Sequence, residues 1–236
     1  MPEDMIYFTI GERNGYIDFD KAFADFSDEL ERVDTDLNDE LLIYFTSGTT
    51  GYPKMVAHNH LYPLGHIYTA VYWHGVVDDG LHFTSAETGW AKCSWGKLYG
   101  QWIAGTALFV YDYFGRFAPT DLLKHIPEYK ITTFCAPPTI YRYLVKEDLS
   151  KYDLSSIIHC STAGEPLNAE VWKQFFNATG HEIYEGYGQT ETSIIMGTFK
   201  NMKIIPGSMG KPCPLYDIHL VDENYNDVEM GEVGEI

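Results

Sequence analysis

The chain has 236 residues, 45% of them hydrophobic and 21% charged, and a formal net charge of −18. That length buries a sizeable core in one large or two small domains. The acidic balance argues against nucleic acid, whose backbone attracts basic surfaces, and against anionic membrane surfaces, and no run approaches the ~18 apolar residues of a membrane span. Cys93, Cys135, Cys160 and Cys213 form no C-x-x-C pair and read as reduced thiols. The acidic start, Met1-Pro2-Glu3-Asp4, lacks a signal-peptide pattern, and the combined expectation is a cytoplasmic protein.

In chain order, Asp18 to Val33 places Phe19, Ala22, Phe23, Phe26 and Leu30 three or four apart, which predicts an amphipathic helix capped by Asp18 or Asp20. Leu41-Leu42-Ile43-Tyr44-Phe45 reads as a buried strand. It runs into Thr46-Ser47-Gly48-Thr49-Thr50-Gly51-Tyr52-Pro53-Lys54, where hydroxyls, glycines and one lysine offer what a polyphosphate needs from a loop. Lys54 follows Gly51 by three residues, behind Pro53, so this is not a Walker A sequence. Met55-Val56-Ala57 looks extended, and the expected geometry is strand, loop, strand. Asn59 to Trp73 predicts a helix with an Asn cap. His58 and His60, with no third ligand in view, read as structural or capping residues.

Beyond it lie a short strand at Leu81–Thr84, a helix at Leu98–Ala104 and a strand at Ala107–Tyr111. A regular alternation follows: helix Pro119–Tyr129, with Pro at its start, strand Thr132–Ala136, helix Pro138–Val145, strand Ile157–Ser161, helix Asn168–Thr179 with an Asn cap, strand Glu182–Glu185. This pattern predicts an α/β fold, a mostly parallel sheet with helices on both faces. From Tyr216 the period switches to two, with Gly and Asn turns, which predicts antiparallel strands near the C-terminal end. The expected organisation is an α/β portion over 1–215, holding the phosphate loop at 44–54, and the start of a small antiparallel β-subdomain over 216–236. Both ends read as abrupt, as in a piece of a longer protein.

Ligands of open α/β sheets bind beyond the carboxyl ends of the strands. Three segments lie there: Ser85 to Trp90, Ser161 to Leu167, and Glu185 to Thr192. Taken singly each is weak, since Gly186-Tyr187-Gly188 alone reads as a glycine turn around a packed tyrosine and Glu165 as a solvated charge. Two glycines also let a flanked aromatic lie flat on a planar ligand, and Glu191 is a carboxylate of the kind Mg²⁺ prefers. His159, at a strand end, reads as a packed residue.

Together, Thr46–Lys54, Ala163-Gly164-Glu165-Pro166-Leu167 and Gly186-Tyr187-Gly188-Gln189-Thr190-Glu191 have the order and spacing of the AMP-forming adenylate synthetases, and the resemblance covers essentially the whole chain. Gly89-Trp90-Ala91-Lys92-Cys93-Ser94-Trp95-Gly96-Lys97-Leu98-Tyr99-Gly100-Gln101 looks most like the medium-chain acyl-CoA and acetyl-CoA synthetase branch. The resemblance implies the large domain of such a synthetase, an internal fragment of it. It implies activation of a small carboxylic acid by ATP with Mg²⁺, giving acyl-AMP and pyrophosphate, and transfer of the acyl group to coenzyme A. Carried over, Thr46, Ser47, Gly48, Thr49, Thr50, Gly51 and Lys54 cradle the phosphates. Gly164, Glu165 and Pro166, with Glu185, Gly186, Tyr187, Gly188 and Gln189, line the adenine pocket, where Tyr187 stacks on the base. Thr190 meets the α-phosphate or the substrate carboxylate, and Glu191 holds Mg²⁺. Trp90, Trp95, Gly96 and Tyr99 shape the acyl pocket, or else pack the core.

The family's ribose-binding aspartate, a later arginine and the C-terminal domain's lysine have no counterpart before Ile236, so the isolated chain is expected to have little ligase activity. Two other readings stay open: an adenylating enzyme with an acceptor other than coenzyme A, and a noncatalytic nucleotide-binding module. A P-loop NTPase fits poorly, because the lysine spacing is wrong. The acid and the oligomeric state are not legible.

Overall fold

The computed structural model describes residues 5–24, 26–46, 52–86, 90–112, 115 and 117–236. The chain divides into two compact units, Met1–Asp36 and Leu37–Ile236. In the first, β1 (Phe8–Thr9) and β2 (Ile17–Asp18) pair in parallel and lead into α1 (Phe19–Ala24). Asp18 Oδ1 accepts the Lys21 amide and so caps α1, as expected. The helix was expected to reach Val33, but it stops at Ala24. Phe26 and Leu30 are 73% and 94% exposed, and a helix without packing on its apolar face is marginal in water.

The second unit opens with an antiparallel pair, β3 (Glu40–Thr46) and β4 (Lys54–Asn59), in which Thr46 faces Lys54 across the base of the intervening loop. Then come α2 (Tyr62–Tyr68), continued by a π-helical turn over Thr69–Trp73, β5 (Leu81–Thr84), α3 (Ala91–Trp95), α4 (Tyr99–Ile103) and β6 (Ala107–Leu108). The chain goes on through α5 (Pro119–Tyr129), β7 (Thr133–Cys135), α6 (Pro138–Leu144), β8 (His159–Ala163), α7 (Ala169–Thr179), β9 (Ile183–Gly188), β10 (Ile194–Gly197) and β11 (Lys211–Pro212). α2 starts two residues later than a cap at Asn59 would set it. Asn59 Oδ1 accepts the Leu61 amide in a local turn, a competing use of the side chain that asparagine favours.

Seven strands form one sheet in the order β11-β10-β9-β8-β7-β5-β6. The five from β9 to β6 are parallel, and β10 and β11 extend it antiparallel. This is the expected α/β architecture, with helices on both faces. Phe83, Phe134, Cys160 and Ile183 lie in register across neighbouring strands. On that face they pack against Leu122, Leu123 and Ile126 of α5, Tyr141 and Leu144 of α6 and Phe175 of α7. Burying one such aliphatic or aromatic side chain contributes about 1.5–3 kcal/mol.

The opposite face carries His82, Thr84, Thr133, His159 and Ser161, all buried. The π-helical turn covers it: His74 Nδ1 meets Ser161 Oγ at 2.9 Å, and His159 Nε2 meets the Trp73 carbonyl at 2.8 Å. A polar sheet face is stable here because its donors and acceptors meet. His82, for example, reaches Thr133 Oγ1 at 2.7 Å and Thr84 Oγ1 at 2.8 Å.

α7 carries the Asn cap expected of it, with Asn168 Oδ1 accepting the Glu170 amide at 2.8 Å. Asn168→Ala leaves that amide without its cap, and the expected loss is about 1 kcal/mol of stability in urea unfolding.

Candidate active site

β3 and β4 form the expected strand–loop–strand hairpin, and the segment expected to bind phosphates runs between Thr46 and Lys54. Thr46 is half-buried and Lys54 exposed. Ser47, Gly48, Thr49, Thr50 and Gly51 lie outside the described residues. At the far end of β4, His58 Nε2 lies 2.7 Å from the Thr190 carbonyl oxygen. That bond ties the phosphate-loop hairpin to the Gln189-Thr190-Glu191 turn, 132 residues on in the chain. The turn is closed locally by the Thr192 amide on the Gln189 carbonyl and by the Gln189 amide on Thr192 Oγ1. Glu191 and Gln189 are exposed, and Thr190 is half-buried.

β9 runs three residues further than the expected strand, so Gly186, Tyr187 and Gly188 stand within it. Pairing with β10 is the reason, and each glycine fits a close approach, Gly186 to Trp73 and Gly188 to the start of β10. A Cβ on Gly186 would come 2.6 Å from the Trp73 indole nitrogen, and one on Gly188 2.4 Å from the Ser193 carbonyl. Side chains alternate along a strand, so Tyr187 and Glu185 share the other face. There Glu185 Oε1 accepts the Leu167 amide at 2.9 Å, and burial raises its carboxyl above the usual range.

Gly186 pairs with Ala163, which brings the Gly164-Glu165-Pro166 loop beside Tyr187. Gly164 has φ +104°, and no neighbouring atom of the described residues lies within 4 Å of the position a Cβ would take. Its backbone therefore selects glycine while leaving the surface open to a flat ligand. Glu165 accepts Thr139 Oγ1 at 2.7 Å and Arg142 Nη2 at 3.0 Å, and both partners hold its carboxyl below the usual range. Lys92 Nζ donates to the Ala163 carbonyl at 3.1 Å. Sequence reasoning assigned no role to Arg142, Lys92 or the His58–Thr190 link, because each partner is distant in the chain and no spacing rule connects them.

Trp95 and Tyr99 both lie against His66, with Gly96 between them in the chain. Trp95 stacks on His66 with centroids 5.7 Å apart and planes 5° apart, and Tyr99 lies 5.7 Å from Tyr62. The Gly96 carbonyl accepts from Thr84 Oγ1. Trp90 instead stands at the start of α3, 70% exposed, outside this ring cluster. Tyr62 stacks on His58 at 3.8 Å, so the cluster begins beside the Thr190 turn and runs inward. Burial and the neighbouring Tyr44 push the Tyr99 phenol up to about 12.

The profile of the family described as AMP-binding enzyme matches residues 9–236. The mitochondrial acyl-coenzyme A synthetase ACSM3 of Homo sapiens is 43% identical over 225 residues, 95% of this chain and 38% of that protein. The Homo sapiens mitochondrial ACSM5 is 40% identical over the same shares. This chain thus spans about 38% of the length of these relatives. Among solved structures, the anthranilate CoA ligase AuaEII, in complex with anthranoyl-AMP, superposes with a TM-score of 0.87 at 31% identity, over 97% of this chain and 44% of that one. The Brucella canis acyl-CoA synthetase gives 0.83 at 27% identity, over 95% and 41%.

The relatives' mitochondrial location overturns the cytoplasmic expectation. Free thiols report a reducing environment without saying which one, and an organelle address is carried by a targeting segment, not by the fold. Among the described residues no helix is long and apolar enough to cross a membrane. The profile covers nearly the whole sequence, from residue 9 to 236, and on that ground the chain belongs to the AMP-binding enzyme family.

Proposed function

We propose that the protein works as an ATP-dependent acid–thiol ligase, an AMP-forming acyl-CoA synthetase. The observation that carries this reading is the His58–Thr190 bond, which ties the hairpin that bears the 46–54 loop, at its end away from the loop, to the Thr190–Glu191 turn. Membership of the AMP-binding family and likeness to acyl-CoA synthetases over 95% of the chain support it. A carboxylate oxygen of a small acid attacks the α-phosphorus of ATP, and pyrophosphate leaves. The thiolate of coenzyme A then attacks the acyl carbonyl, and AMP leaves.

Both steps bring anions together, so charge neutralisation and positioning do the work, without a protein nucleophile. In this reading Thr46, Lys54 and the hydroxyls and glycines at 47–51 hold the β- and γ-phosphates. Gly164, Glu165 and Pro166 with Glu185 to Gln189 receive the adenine, against Tyr187. Thr190 meets the α-phosphate or the acid's carboxylate. Trp95, Gly96 and Tyr99, with Trp90 at the entrance, bound the acyl group. Among the described residues no group of three His, Cys, Asp or Glu side chains is arranged to hold a metal. The exposed single carboxylate of Glu191 suits Mg²⁺, which keeps several waters and shares substrate phosphate oxygens. When bound, Mg²⁺ supplies charge neutralisation at the phosphates. Residues 216–236 are read as the start of a small antiparallel subdomain, supported by the bridges of Val221 to Asp227 and Glu235.

The test supplies the full-length protein with ATP, Mg²⁺ and a panel of carboxylic acids, with and without coenzyme A. AMP and thioester that depend on particular acids are the expected result. Acid-dependent AMP without thioester moves the reading to another acceptor, and no acid-dependent AMP from folded, ATP-binding protein overturns it in favour of a noncatalytic module. Lys54→Ala is expected to slow acid-dependent pyrophosphate release about 100-fold, the scale of one lost charge-stabilising donor.

A further inference from the structure

The wall of aromatic rings between α2, the π-helical turn, α3 and α4 also carries polar atoms. His66 and His74 are fully buried, as are Trp73 and Gln101. Nδ1 of His66 faces Thr69 Oγ1 at 3.3 Å, and Nδ1 of His74 faces Ser161 Oγ at 2.9 Å. The Nε2 atoms of both rings have no hydrogen-bond partner among the described residues, nor have the Trp73 indole nitrogen and both amide atoms of Gln101.

Three of these residues share Trp95 as a neighbour. His66, His74 and Trp73 all lie within 6.2 Å of Trp95, centroid to centroid. Gly100, beside Gln101, sits against the His66 carbonyl. Buried polar atoms are nearly always paired, and one left over marks a place where a water, ion or ligand belongs. A wall meant only for a hydrocarbon chain has no use for five of them.

We propose that the acid activated by this protein is a hydroxy acid, whose acyl hydroxyl is bound by Nε2 of His66. The proposal rests on the ligase reading and adds the substrate class. Tyr62, on the same face of α2 one turn before His66, stacks on His58, which holds the Thr190 carbonyl. A chain that enters with its carboxylate at Thr190 therefore passes Tyr62 and reaches His66 about one helical turn, ~5.4 Å, further in. Each Nδ1 faces a hydroxyl that either donates or accepts, so each Nε2 is a donor or an acceptor according to tautomer. A substrate hydroxyl does both and fits either state. Burial holds His66 down to about 3 and His74 well below the usual range, so both rings are neutral at working pH. They offer no charge to a second carboxylate.

A site that hydrogen-bonds a substrate hydroxyl rejects the analogue lacking it by orders of magnitude, because its own polar groups are then left unpaired. The test compares kcat/KM of the full-length protein, by pyrophosphate release, for octanoate, for octanoates bearing a hydroxyl at each successive carbon, and for the eight-carbon dicarboxylate. One hydroxy isomer is expected to exceed octanoate by at least about 100-fold. His66→Leu should shrink that ratio, and His66→Gln should restore part of it. Octanoate turned over as well as every hydroxy isomer, or a preference for the dicarboxylate, overturns the proposal and leaves the ligase reading standing. No turnover of any acid removes the ligase reading itself, and the proposal with it. The wild-type ratio decides the question even where a leucine variant fails to fold.

Discussion

Gly100→Ala is expected to destabilise the protein by about 3 kcal/mol or more, although alanine is the better helix former by about 1 kcal/mol. Gly100 lies in α4, where that helix crosses α2. A Cβ there would sit 2.0 Å from the His66 carbonyl oxygen, 2.6 Å from its carbon and 2.8 Å from Ala70 Cβ. The shortest C–H···O contacts are about 3.3 Å. The helices would have to separate by roughly 1.3 Å, and the nearest obstacle is backbone, which cannot rotate away. Overpacking a tight core already costs about 1–3 kcal/mol where side chains can adjust. Urea unfolding of the variant against wild type measures the loss. Equal or higher stability of Gly100→Ala would show that α2 and α4 do not meet here. The same shift would move His66, so loss of activity should accompany loss of stability.

Acid should unfold this protein steeply, beginning near pH 6.5. His66, His74, His82 and His159 are buried, and burial is the largest cause lowering each. His66 and His82 fall to about 3 and His159 to about 4, the Gly96 and Trp73 carbonyls working in the opposite sense for the last two. In the unfolded chain each titrates near 6.5. As pH drops below that value the unfolded state gains protons that the native state refuses, so stability falls with falling pH until the native values are reached. One proton is worth about 1.4 kcal/mol per pH unit. The raised Glu185 carboxyl takes up its proton more readily in the native state than in the unfolded chain and so opposes the trend. A net uptake of even two protons still gives a slope of about 3 kcal/mol per pH unit between about pH 6 and 5. Urea titrations at several pH values measure it, and a flat profile would mean that the imidazoles are protonated in the native state.

The sequence by itself determined the elements whose signals are local. The β3–loop–β4 hairpin follows from an apolar run, a glycine–hydroxyl string and an extended return. α5 begins at Pro119 as its spacing predicts, and α7 begins behind Asn168, whose side chain makes the cap. Helix–strand alternation was enough for the parallel sheet, because each βαβ step needs a helix to carry the chain back. The strings Gly164–Pro166 and Gly186–Glu191 were legible as candidate site residues for the same reason: their neighbours in the chain are their neighbours in the fold.

Only the tertiary structure decided the rest. Nothing in local spacing marks Ile194–Gly197 as a strand, and pairing with β9 creates it while drawing Gly186 and Gly188 out of a loop and into the sheet. The helix expected through Val33 ends at Ala24, since propensity without a surface to pack on does not sustain it. His58 finds Thr190 across 132 residues, and His74 finds Ser161 across 87. The apolar run Leu41–Phe45 was expected to be a buried strand, yet no residue of β3 is buried and Phe45 is 71% exposed, because an apolar run does not say what packs on it. Nor did periodicity show that one face of the large sheet is lined with histidine, serine and threonine and roofed by Trp73 and His74. A buried polar group takes its meaning from the atom it meets, or fails to meet, and that partner is set by packing between distant segments.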